Sequence, residues 1–118
     1  MEGDWSADSL VVTSRLNSDV VADLIALGAT LTLLVEPSGR YTEILEGYGQ
    51  SSSEIRRLTI DGPDIVTLPQ SPAGPASRAV WGRVGDRVIL VGPSLFDFNL
   101  GGSPESVILR QVLSPRSD

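Results

Sequence analysis

The chain of 118 residues carries a net charge of −6, with 41% hydrophobic and 20% charged residues, which suits one globular domain with a buried core. It has no Cys, no His and no Lys, and all nine basic residues are Arg. That composition excludes zinc and iron–sulfur centres built on Cys or His, thiol and Ser–His–Asp chemistry, Schiff bases and Walker-type phosphate loops. An acidic surface disfavours nucleic acid and anionic membranes as partners. No apolar run reaches transmembrane length and no basic-then-apolar leader opens the chain. The composition therefore leads to a soluble, cytoplasmic, non-enzymatic protein with no cofactor.

Residues 1–8 read as a flexible arm in which Trp5 folds back onto the body, and residues 115–118 as a tail. Leu10 to Leu27 reads as a helix: Asn17 or Ser18 caps it, Asp19 suits its dipole, and Val20, Val21, Leu24, Ile25 and Leu27 form a stripe that Gly28 ends. Within it, Leu10-Val11-Val12-Thr13 suits a strand equally well. Thr30–Glu36 and Arg40–Glu46 form a hairpin through Glu36-Pro37-Ser38-Gly39. Residues 51–70 are ambiguous: Ser53 to Leu58 suggests a helical turn, Asp61-Gly62-Pro63 a turn, and Ile65 to Leu68 a strand. The Pro-bearing stretch from Gln70 to Ser77 reads as a loop. A second hairpin joins Arg78–Val84 to Arg87–Val91 through Gly85-Asp86. Val88 to Val91 is apolar on both pleat faces, as in a strand covered on both sides. Ser103 caps a last helix with Pro104 at its first position and a stripe of Val107, Ile108, Val112 and Leu113. This order specifies an α+β fold: an antiparallel sheet of about five strands flanked by N-terminal and C-terminal helices, in one domain over residues 9–114.

The run Ala26-Leu27-Gly28-Ala29, then Leu31 to Arg40 with Gly47 and Gly49, resembles the opening of the roadblock/dynein light-chain family. Val88-Ile89-Leu90-Val91, Phe96-Asp97, Leu100-Gly101 and Val107-Ile108-Leu109-Arg110 resemble its later part. The family's long second helix has no counterpart, because residues 51–70 contain Gly62, Pro63 and Pro69. The resemblance implies a homodimeric scaffold or regulator of a small Ras-like GTPase or of a motility complex. A GAF-like or PAS-like sensory module holding a small ligand between sheet and loop is the alternative, and the element order also allows a profilin-like layer.

The candidate protein-interface residues are Trp81, Ala79 and Arg83, which alternate onto one face of a strand, and the doublet Arg56-Arg57, suited to an acidic partner. With too few helices to cover both sheet faces, the chain is expected to self-associate. Gly82-Arg83-Val84-Gly85 reads as hairpin geometry, and Gly101-Gly102-Ser103 as an ordinary helix start. Glu43 with Glu46, on opposite faces of a regular strand, and Asp61 with Asp64 read as solvated surface acids.

Overall fold

The computed structural model describes residues 2–17, 19–47, 49–71, 73–96 and 105–116. Their regular structure is entirely strand: β1 (Gly3–Ser14), β2 (Val21–Asp23), β3 (Thr30–Val35), β4 (Arg40–Gly47), β5 (Gln50–Asp61), β6 (Asp64–Ser71), β7 (Ser77–Val84), β8 (Arg87–Phe96) and β9 (Glu105–Pro115). All neighbours are antiparallel, and pairing of β1 with β9 closes eight of the strands into a barrel. Closure leaves no long open edge for another chain to extend. The α+β expectation, with its flanking helices, is therefore overturned.

The first expected helix fails because its opening residues pair better than they wind. β1 runs the length of the barrel, with β9 along one edge from Trp5↔Pro115 to Ser14↔Val107. Its other edge is shared: β3 takes residues 3–6 and the short β2 takes residues 11–13. A bulge between Ala7 and Ser9 reverses the alternation, so Trp5 and Leu10, of opposite parity, both reach the core. The supposed arm is thus half of the closing strand, and Trp5 is 3% exposed. Of the helical stripe only one winding remains. The Asp23 carboxylate accepts the Ile25 and Leu10 N–H groups, each at 3.1 Å, and Leu27 N–H donates to the Asp23 carbonyl at 3.2 Å. That winding lays Leu24 and Ile25 against the core.

The last expected helix is β9. Val107 and Leu113 are fully buried, while Ile108 faces outward. The residues of the expected stripe fit a strand too, since three of the four, Val107, Ile108 and Val112, are β-branched. Its Ser103 cap lies outside the described residues. Residues 51–70 form the long β5–β6 hairpin, turned at Gly62 with φ of 59°. The two sequence-read hairpins are present, with β3–β4 turned over Glu36–Gly39 and β7–β8 over Gly85-Asp86. Gly39 is required on two counts: φ is 92°, and a Cβ there would meet the Leu58 carbonyl oxygen at 2.6 Å. β8 is two-faced because Val88 and Leu90 fill the barrel while Ile89 and Val91 lie half-buried outside.

The two ends differ in their connections. Tight turns at 36–39, 62–63 and 85–86 gather at one end, the closed end. The other end, the open end, carries the short connection between Gly47 and Gln50 and the ones that join β1 to β2, β6 to β7 and β8 to β9. Trp5, Val88 and Leu113 fill the closed half of the lumen, and the Arg83 guanidinium carbon sits 5.9 Å from the centroid of the Trp5 ring.

Candidate functional site

An eight-stranded barrel is just wide enough either to be filled by side chains or to hold one small ligand. Here each half does one of these. Above the apolar plug lies a cavity of about 400 Å³ in the open half. Its lining comes mainly from inward positions of β3 to β9, chosen by alternation along each strand, together with Arg78 and Pro93.

One wall is apolar, built by Leu33, Ile65, Leu90 and Leu109. Gly92 faces Ala79 across β8 and β7, and a Cβ on it would lie 2.8 Å from the Ala79 Cβ. Any larger residue at 92 would push these strands apart, so glycine is needed for the close approach. The part of the wall built by β4 and β5 is charged. Arg56 of β5 reaches inward with its side chain 18% exposed, and its Nη1 donates to Glu54 Oε2 at 2.7 Å. The same nitrogen stands 3.8 Å from Glu43 Oε2, an ion pair too long for a hydrogen bond. Arg56 Nη2 approaches Thr67 Oγ1 at 3.4 Å, and the Thr67 and Ser77 hydroxyls lie 2.8 Å apart. Ser52, Ser94 and Gln111 complete the polar lining.

The register explains this concentration of charge. Glu43 on β4 pairs directly with Glu54 on β5, and Tyr41 with Arg56. Directly opposed like charges destabilise a sheet, and a half-buried site weakens water's relief. Burial raises the Glu43 pKa above the ordinary carboxylate value; the Arg56 charge opposes this and the Glu54 charge adds to it. Burial also pushes the Tyr41 phenol up to about 12, reinforced by the Glu43 charge and opposed by Arg56. Burial works against the Arg56 charge, but Tyr41, Glu43 and Glu54 outweigh it and hold the guanidinium protonated.

The sequence-derived interface residues separate. Arg56 is in the cavity, whereas Arg57 is exposed on the outer face, as neighbours in a strand must be. Ala79 lines the cavity. Trp81 packs against the core near the closed end, where its indole N–H donates to the Gly62 carbonyl at 3.3 Å. Arg83 stacks over Trp5 at that end. Glu43, read as a surface acid, lines the cavity, while Asp61 and Asp64 sit opposite one another and share Arg78 at 3.1 and 2.7 Å. Sequence reading missed Glu54, Thr67 and Gln111. The available signal was polar residues at two-residue spacing, Ser52, Glu54 and Arg56, which is a strand pattern with a polar inner face.

Among the described residues no group of carboxylates is placed to hold a metal ion. Compared with known proteins, the chain matches no family model, no curated protein and no solved structure.

Proposed function

We propose that the protein is a binding protein that holds one small amphipathic molecule in the open half of its barrel. The observation that carries this reading is the cavity itself: about 400 Å³, within the usual range of ligand sites, with leucines on one wall and fixed polar groups on the other. This is the small-ligand alternative read from the sequence, moved from a sheet–loop cleft into a lumen. The test is uptake of the neutral fluorophore N-phenyl-1-naphthylamine. Saturable one-to-one enhancement is expected in the parent, with loss in Ser77→Trp, which fills the mouth but leaves the core and the melt unchanged. Absence of saturable uptake, or equal uptake by Ser77→Trp, would refute the reading.

A scaffold role of the kind the roadblock resemblance implies would use the outside of the barrel instead. Its support is the outer face of β7, where Val80 is 57% and Val84 65% exposed. Light scattering at tens of micromolar checks it, a dimer in the parent and a monomer in Val80→Thr/Val84→Thr being the supporting result.

A further inference from the structure

From the charges around the cavity we infer that its preferred occupant is a small organic cation, an ammonium head on an apolar body, with the head against Glu43 and the body on Leu33, Ile65 and Leu90. This rests on the lumen reading above and adds the class of ligand.

Among the described residues, four charged side chains line the cavity, Glu43, Glu54, Arg56 and Arg78, but Arg78 is engaged by Asp61 and Asp64 at 3.1 and 2.7 Å, which leaves Arg56 to face the two glutamates. One guanidinium cannot neutralise two carboxylates. Arg56 spends its short contact on Glu54 at 2.7 Å and leaves Glu43 at 3.8 Å. Glu43 accepts no hydrogen bond from any described residue, yet it lines the cavity with 27% of its side chain exposed. A strand pair that places two glutamates face to face inside a barrel is costly to the fold. Departures from local rules of this kind concentrate where a site does its work. A ligand ammonium supplies the missing positive charge and donates the absent hydrogen bonds.

An anionic head finds the opposite situation. Arg56 and Arg78 are the cationic side chains at hand, and both are already taken, Arg56 Nη1 by Glu54 and Arg78 Nη1 by Asp61 and Asp64. A carboxylate ligand would have to displace Glu54 and then sit beside both freed acids. A neutral head leaves the Glu43 charge unpaired. The apolar wall begins beside the acid, since Leu33 is the cross-strand partner of Glu43, so an ammonium with an alkyl or aryl body meets both surfaces at once.

The test compares three probes of matched shape, octylammonium, octan-1-ol and octanoate, by calorimetric titration or by displacement of N-phenyl-1-naphthylamine at pH 7. Octylammonium is expected to bind at least about tenfold tighter than octan-1-ol, as one charge-assisted hydrogen bond supplies, with octanoate weakest. Glu43→Gln should abolish that preference while keeping the affinity for octan-1-ol. Glu36→Gln, the same charge change in the β3–β4 turn at the closed end, should keep the preference, which separates the cavity from general attraction to an acidic protein. Equal affinity for octylammonium and octan-1-ol, tightest binding of octanoate, or a preference that survives Glu43→Gln would overturn the assignment. If the neutral fluorophore and octan-1-ol still bind in those cases, the lumen reading stands and only the cation assignment falls. If nothing enters the lumen, both fall.

Discussion

At the closed end of the barrel, inward positions hold Trp5, Val88 and Leu113; at the open end, they hold Glu43, Glu54, Arg56 and Gln111. In β9 one polar residue, Gln111, stands between the plug residue Leu113 and the apolar Leu109 and Val107. The closed half follows the hydrophobic-inside rule and supplies stability; the open half departs from it along β4 and β5, while Val12 and Val107 remain buried on β1 and β9, and the plug beneath carries the cost. The charged lining and the apolar plug are thus divided along the barrel axis rather than between layers.

The division can be broken most forcefully at the plug. Trp5→Ala is expected to cost about 3–5 kcal/mol of unfolding free energy in urea, the usual loss for a buried Trp. Trp81→Ala, half-buried at the same end, should cost clearly less, about 2 kcal/mol. A Trp81 loss equal to that of Trp5 would show that the plug extends farther than the burial pattern indicates.

A smaller effect belongs to the charged wall. Arg56→Met leaves Glu43 and Glu54 opposed without a cation, and a loss of about 2 kcal/mol at pH 7 is expected, below that of a fully buried pair because the site is open to water. Arg57→Met, one residue along and outside, should stay within about 0.5 kcal/mol. Equal effects from the two would erase the distinction between lumen and surface.

The smallest effect has the opposite sign. Because folding raises the Glu43 pKa, its contribution to stability is fully present below the unfolded value and is lost as pH rises through the folded one. The groups facing it are Arg56 and Glu54 on β5 and Tyr41 on its own strand. Glu43→Gln should therefore be more stable than the parent at pH 7, by about 1 kcal/mol, and the two should converge below about pH 4. Thermal melts across that range check the sign, and a variant less stable than the parent at pH 7 would show Glu43 to be a structural ion-pair partner.

The same division explains what could be read from the sequence. Both hairpins were legible because their turns, Glu36-Pro37-Ser38-Gly39 and Gly85-Asp86, act locally. β9 was not, because Gln111 interrupts the alternation that Val107, Leu109 and Leu113 otherwise show, and the remaining apolar residues also fit a helical stripe. β1 was obscured by its bulge, which changes the parity of the inward residues midway. β5 was hidden by its composition: Ser52, Glu54 and Arg56 are polar where a strand's inner face is usually apolar. Arg56-Arg57 stood out as a doublet, but only pairing with β4 reveals which of the two turns inward.

The seam between β1 and β9 also has a temporal meaning. Trp5 pairs with Pro115, and Arg116 N–H donates to the Asp4 carbonyl at 2.9 Å, so the first core tryptophan is enclosed by one of the last residues described. During synthesis the β3–β8 hairpins emerge able to pair with their neighbours, while β1 must wait for β9 to leave the ribosome before the cylinder can close. Until that moment the plug residues of β1 and an unpaired edge of β8 face solvent together. A chain permuted by joining the two ends and opening Gly85-Asp86 would make β8, β9 and β1 consecutive. The slow long-range closure would then pass to the β7–β8 boundary, and Trp5 would find its partners early.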